Sequence, residues 1–237
     1  MQFTGERVFE DSTPNRIWLD HIARYKFAGK YVKGKDVLDI ACGTGYGSKF
    51  LKDAGAAKVI GVDISIDAID FAIAKYKMSG LEFKFGNMLN INFPESYFDV
   101  IVSFETIEHI KNPERAIAEL HRVLKPKGIL IVSTPNRKLT SPGKSFNDAP
   151  NNPFHVKEYY TKEFISILSG HFKILEVYGQ RGINKLFLLP ILERILRKLL
   201  PVLYNPERGE PELEQSSSRK EYRYITVICR KINGKKI

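Results

Sequence analysis

Cysteine is nearly absent from this chain of 237 residues. Only Cys42 and Cys229 occur, far apart and without metal-ligand spacing, which argues against a disulfide framework and against a thiolate zinc site. Long apolar runs are missing too. No stretch approaches the roughly 18 uncharged residues of a spanning helix, and the opening MQFTGERVFEDSTPN lacks the apolar core of a secretory signal. Reduced thiols and the lack of a signal are expected of a cytoplasmic protein. One glycine is missing at an informative place: the dinucleotide fingerprint G-x-G-x-x-G would put its third glycine where this chain has Ser48, which speaks against a nicotinamide-dependent oxidoreductase. Acidic residues are outnumbered, 27 against 37 Lys and Arg, for a formal charge of +10. Most of that surplus lies beyond Arg181. It suits phosphate, nucleic acid or a membrane headgroup, and it suits an ordinary lysine-rich surface; its confinement to one end weakens the nucleic-acid reading.

Apolar, β-branched runs are plentiful: DVLDIA (36–41), KVIGVDI (58–64), LEFKFGN (81–87), FDVIVSFE (98–105) and GILIVSTPN (128–136). They alternate with helical patterns at 46–55, 67–79 and 113–124, so the reading is an α/β fold, a doubly wound, mostly parallel, Rossmann-like sheet with helices on both faces. Residues 15–30 carry apolar side chains at helical spacing and form a leading helix over the sheet or its ligand crevice. After Asn136 a long polar stretch reaches Pro153, a length that marks a functional or mobile loop. A helix over 161–168 capped by Thr161 and strands over 172–179 and 222–230 bring the count to seven. The whole is expected to form one domain over 1–237. A late insertion at 181–221 contains the apolar segment 185–204, suited to a lid, a dimer helix or contact with a membrane surface.

The segment Asp39-Ile40-Ala41-Cys42-Gly43-Thr44-Gly45-Tyr46-Gly47 follows the first strand and opens a helix, the place where open α/β sheets bind ligands. Glycines there allow a sharp turn and close approach of backbone to a ligand. Asp63 ends the second strand, where a carboxylate can accept from both ribose hydroxyls. These features describe a nucleoside pocket.

From Asn15 to Tyr178 and again in the last strand, the chain resembles the class I S-adenosylmethionine-dependent methyltransferases, within them the group typified by quinone-pathway O-methyltransferases. The matching segments are VLDIACGTG, VIGVDIS, FGNM, FDVIVSFETIEHI and HRVLKPKGILIVSTPN. The resemblance implies the sheet order 3-2-1-4-5-7-6 with the last strand antiparallel, and S-adenosyl-L-methionine as cofactor. It implies that Asp39, Ala41, Gly43 and Gly45 line the methionine portion, Asp63 and Ile64 the ribose and adenine, Asn87 and Met88 the adenine, and Phe104 the transferred methyl. Arg24 and Tyr25 of the leading helix are candidates for the cofactor carboxylate. The family often has an acidic residue where this chain has Asn87; an amide can both accept from the adenine amino group and donate to a ring nitrogen.

At the end of the fourth strand stand Glu105, Glu108 and His109, which share one face if a helical turn begins there. The E-x-x-E-H pattern resembles that of magnesium-dependent quinone O-methyltransferases and small-RNA 2′-O-methyltransferases. That resemblance implies Mg2+ on Glu105, Glu108, His109 and His155, the last from NPFHVKEYY, acting on a substrate with two adjacent hydroxyls. Two further roles stay open: His109 or His155 as a metal-free general base, and simple stabilisation of a helix start. TGERVFE, HIARY and NPFHVKEYY resemble methyltransferases encoded among glycan-assembly enzymes, so the expected acceptor is a sugar, glycan or related small molecule. A lipid-linked or quinone-like acceptor and RNA follow it, and a non-catalytic cofactor-binding protein is the reading from another class. No feature assigns an oligomeric state.

Overall fold

In the computed structural model, the described residues are 14–145, 147–188 and 211–232. Five strands run parallel in the order β3-β2-β1-β4-β5: β1 (Asp36–Ile40), β2 (Lys58–Asp63), β3 (Leu81–Phe85), β4 (Phe98–Ser103) and β5 (Leu124–Pro135). Beyond β5, β6 (Phe172–Asn184) is followed in the chain by the two-residue β7 (Glu214–Gln215) and by β8 (Lys220–Lys231). β8 pairs antiparallel to both β5 and β6, and β7 closes the edge on β6. The expected strand order holds, with one added strand too short to show any periodicity.

Side-chain alternation explains the layers. Leu38, Ile40, Ile60, Val62, Ile101, Leu130 and Val132 point to one face, where α4 (Pro113–Val123) and α6 (Thr161–Ser169) supply Ile117, Leu120, Phe164 and Leu168. Val37, Val59, Val100, Val102 and Ile131 point to the other, beneath α1 (Asn15–Ala28), α2 (Tyr46–Asp53) and α3 (Ile66–Lys75). With both faces covered, the strands carry no polar stripe. The helix starts are set by caps: Ser65 Oγ accepts from Ala68 N–H, and Asn112 Oδ1 accepts from Arg115 N–H beside Pro113. No helix among the described residues is long and apolar enough to cross a membrane.

Four local expectations are revised. The helix at 161 is not capped by Thr161: the Tyr160 carbonyl already accepts from Phe164 N–H at 2.9 Å, so Tyr160 is the cap position and Thr161 lies inside α6. β5 begins at Leu124 rather than Gly128, because the Lys125–Gly128 turn is taken up as an irregularity in the strand, Phe98 pairing Leu124 and Val100 pairing Ile129. The stretch after Asn136 is not a bare loop. It opens with α5 (Arg137–Thr140), and the buried Arg137 gathers its far side through Nη2 bonds to the carbonyls of Ser145 and Asp148 at 2.5 and 2.7 Å. β6 runs to Asn184, five residues past the expected end. Of the apolar segment 185–204, a 3-10 turn at Lys185–Leu188 is described and the remainder lies outside the described residues, as does TGERVFE.

Candidate active site

The loop after β1 is shaped by left-handed backbone: Ala41 has φ 63°, Gly43 55° and Gly45 84°. The two glycines serve different ends. A Cβ on Gly43 would meet nothing within 4 Å, so its backbone borders open space, whereas a Cβ on Gly45 would lie 2.7 Å from Ala72 and Phe83. Gly45 therefore faces protein rather than ligand. Asp63, at the end of β2, ties two turns together: Oδ2 accepts from Gly43 N–H at 2.8 Å and Oδ1 from Ser65 N–H at 2.9 Å. Both oxygens are thus held in place, each with a further lone pair.

Behind this loop Asp39 is buried, accepting from Ser48 Oγ at 2.6 Å and from the Tyr25 hydroxyl at 3.1 Å. Burial pushes its carboxyl up to about 7 against the pull of those two donors. Tyr25 reaches it because Gly47 has no Cβ; one would stand 1.9 Å from the Tyr25 ring. Burial and then Asp39 hold the Tyr25 phenol well above its usual range, so it stays protonated and donates. The ring also packs edge-on against Phe104, centroids 5.1 Å apart. In this way α1 closes over the end of the sheet.

A cavity of about 820 Å3 opens there. Of the residues expected at the site, Tyr25, Ala41, Gly43, Asp63, Ile64, Phe104, Glu105, Glu108, His109 and His155 line it. The structure does not bring five others to it. Arg24 is buried with Nη1 on Gln180 Oε1 at 2.7 Å and its guanidinium over Tyr224. Asp39 lies behind Tyr25 and Ser48, and Gly45 behind Gly43. Met88 is in the core, and the exposed Asn87 turns Oδ1 onto Leu89 N–H at 2.8 Å.

At the far end of the cavity two imidazoles lie 4.9 Å apart, centroid to centroid. His109 Nδ1 is 3.0 Å from the Phe154 carbonyl, which can only accept, so Nδ1 carries the proton and Nε2 is the basic nitrogen. Nε2 faces Glu108 Oε1 at 3.9 Å. His155 is fixed by a similar argument. Asn152 Oδ1 takes Phe154 N–H, so its Nδ2 donates to His155 Nε2 at 2.9 Å and His155 Nδ1–H donates to Glu158 at 2.8 Å. Burial raises Glu158, but donors from His155, Ser141 and Thr140 outweigh it and hold the carboxyl below its usual range. Glu108 is fully buried. Burial first, then Glu105, pushes its carboxyl well up, despite Thr134 Oγ1 donating to Oε2 at 3.0 Å. No hydrogen-bond partner reaches Glu108 Oε1 among the described residues.

Ligand atoms of Glu108, His109 and His155 lie within 4.8 Å of one another. Glu105 stands apart from this group, contrary to the face shared by all three residues of the motif. The turn is a 3-10 helix over Ile107–His109 that starts after Glu105, which has φ 48° and accepts from Ser133 Oγ at 2.6 Å. Two imidazoles and one carboxyl depart from the oxygen-only preference of Mg2+, so the residues as placed do not fit that ion.

Sequence reasoning missed several residues of the lining, among them Arg16, His21, Tyr46, Thr140, Asn152, Glu158, Arg223 and Tyr224. His21 sits in the HIARY helix one turn before Tyr25, and Glu158 three residues after His155; helical spacing and a His-x-x-Glu pairing were the available signals. Burial holds the His21 imidazole well below its usual value, and Tyr46 Oη lies 2.8 Å from its Nδ1.

A family model described as a methyltransferase domain matches residues 38–132. A protein of Mycolicibacterium smegmatis named "Probable S-adenosylmethionine-dependent methyltransferase" is 33% identical over 181 residues, covering 76% of this chain and 68% of that protein. A Mycobacterium tuberculosis relative of the same description is 35% identical over 169 residues, and there the chain spans 60% of the relative's length. The mitochondrial ubiquinone biosynthesis O-methyltransferase of Dictyostelium discoideum is 32% identical over 46% of this chain and 38% of its own. Among solved structures, the PH0226 protein of Pyrococcus horikoshii superposes with a TM-score of 0.66 at 21% identity, over 97% of this chain and 96% of that one, a likeness of fold.

Proposed function

Because this chain belongs to the class I S-adenosylmethionine-dependent methyltransferases, and is an enzyme with S-adenosylmethionine as its methyl donor, we propose that it methylates a hydroxyl of a sugar, glycan or related small molecule, with His109 as the base. One observation carries this reading. His109, with Nδ1 tied to the Phe154 carbonyl, lines the same cavity as Gly43, Asp63 and Phe104. A hydroxyl needs its proton removed as it attacks, and an imidazole held in one tautomer with Nε2 as the basic nitrogen can take it. The donor itself supplies an activated methyl on a sulfonium, so the protein's remaining task is placement.

The residues fit such a donor. Open space at Gly43 leaves room for backbone contact, and the two oriented oxygens of Asp63 can accept from the ribose hydroxyls. Ile64, 65% exposed and at the cavity wall, offers an apolar surface for the base. Glu108, whose carboxyl is pushed up by burial, can donate to the attacking group when protonated and accept from it when ionised. His155, buttressed by Glu158, shapes the opposite wall.

A quinone-like or lipid-linked acceptor is the second reading. It is favoured by Ile17, Ile110 and Phe154 in the lining and by the ubiquinone O-methyltransferase among the relatives. The test is incubation of an acceptor library, including sugars, nucleotide sugars, glycolipids and quinols, with methyl-labelled donor, read by mass spectrometry. Methyl appearing on nitrogen or carbon only would sink the hydroxyl reading.

A further inference from the structure

On the reading that this cavity takes a hydroxyl acceptor, we propose that the acceptor also carries an oxyanion, phosphate or carboxylate, gripped by Arg223. This residue stands near the start of β8, beside the carboxyl end of β5, where its carbonyl accepts from Asn136 N–H at 2.8 Å; it belongs to the cavity lining, with its guanidinium 6.0 Å from the centroid of the Tyr224 ring in the same wall. An arginine in such a place ordinarily faces a carboxylate of its own protein. Here the nearby acids are committed elsewhere. Glu221, two residues earlier, accepts from Asn136 Nδ2 at 3.0 Å and pairs with Lys138 at 3.1 Å. In the cavity wall, Glu158 takes His155, Thr140 and Ser141, Glu105 takes Ser133, and Asp63 takes two backbone N–H groups. Glu108 is driven toward its neutral form by burial.

Arg223 Nε is buried with no hydrogen-bond partner, and no acceptor among the described residues bonds any nitrogen of its guanidinium. The planar fork of a guanidinium matches the paired oxygens of phosphate or carboxylate. A buried N–H without an acceptor is costly, and an incoming oxygen recovers the loss. Arg16 also belongs to the lining, with the hydroxyl of Tyr224 as a further donor.

The test uses the whole chain saturated with S-adenosylhomocysteine and titrated at constant ionic strength with inorganic phosphate, acetate, a hexose phosphate, a uronic acid and the parent hexose. The Arg223 Nε–H resonance, assigned by its loss in R223Q, is followed by nitrogen-15 NMR. A saturable shift with an anion but not with the hexose is expected in the wild type, and calorimetric titration should show that anion bound roughly tenfold or more weakly by R223Q and to an intermediate degree by R223K, at unchanged cofactor affinity. Response to phosphates alone identifies a phosphorylated acceptor, and response to acetate and the uronic acid alone a carboxylated one. No saturable shift with any anion, an equal shift with the hexose, or undiminished binding by R223Q would overturn the proposal. Because the readout is binding, failure of methyl transfer to hydroxyls would leave this result intact.

Discussion

Asp63→Asn tests the residue proposed to hold the cofactor ribose. The carboxylate presents an acceptor to each of two backbone donors, Gly43 N–H on Oδ2 and Ser65 N–H on Oδ1. An amide has one oxygen, so in either orientation its NH2 meets one of those N–H groups head on. One part-buried donor is left unsatisfied, which costs about 1–3 kcal/mol, and the remaining charge-assisted bond weakens to a neutral one. For a chain of this size each kcal/mol lowers the melting midpoint by about 2–4 °C, so the apo protein should melt several degrees lower. Cofactor affinity should fall by at least about 1.5 kcal/mol, more than tenfold, since the ribose loses a charged acceptor and the Gly43 turn loses its anchor. Calorimetric titration with S-adenosylhomocysteine and with an analogue lacking the ribose 2′-hydroxyl separates the two causes. If the ribose contact is real, the wild type should discriminate between these ligands and the mutant should not. A folded Asp63→Asn with wild-type affinity would refute the assignment.

Gly45→Val should lower stability by more than about 2 kcal/mol without any ligand, because φ there is 84° and the new Cβ would press on Ala72 and Phe83; an apo melting curve unchanged from wild type would count against that packing. Asp39 has a folded pKa of about 7, above its unfolded value near 4, so the folded state holds the proton more tightly and stability falls as pH rises from about 4 to 7. Asp39→Asn should flatten that decline in denaturant titrations, and an unaltered slope would place the protonation elsewhere. His109→Ala should cut turnover about 100-fold or more while leaving cofactor binding intact, with wild-type activity indifferent to EDTA; activity lost in EDTA and restored by manganese or zinc would instead assign the imidazoles to a cation.

Much of the cofactor half was legible because its signals are local. A strand buried on both faces reads as an unbroken apolar run, as DVLDI and KVIGVD do, and the turn that follows must contain residues able to take positive φ. What each glycine does was less legible. Gly43 and Gly45 look alike in sequence, yet one borders open space and the other abuts α3 and β3, because the chain rotates between them. Arg24 and Tyr25 were similarly indistinguishable as candidates. They are adjacent on α1 and point about 100° apart, so only one can face the cavity. Gln180, which captures Arg24, lies 156 residues away and gives no local hint of that bond. For Glu105 the spacing argument assumed an α-helical turn; a residue at φ 48° before a 3-10 turn breaks the shared face.

The acceptor half resists sequence reading for a different physical reason. Its walls come from four segments remote in the chain: Arg16 to Tyr25, Phe104 to Ile110, Pro135 to Glu158, and Arg223 with Tyr224. Each segment taken alone has an ordinary explanation, as a helix face, a polar loop or a strand end. Their meeting follows only from the sheet order, which sets the start of β8 antiparallel against the end of β5, Tyr224 opposite Pro135. That pairing carries Arg223 to the carboxyl edge where parallel strands leave room for ligands. On the proposed function, changing what stands at 16, 140, 158 and 223 should alter what the cavity accepts without disturbing the turn at Gly43 or the carboxylate at Asp63.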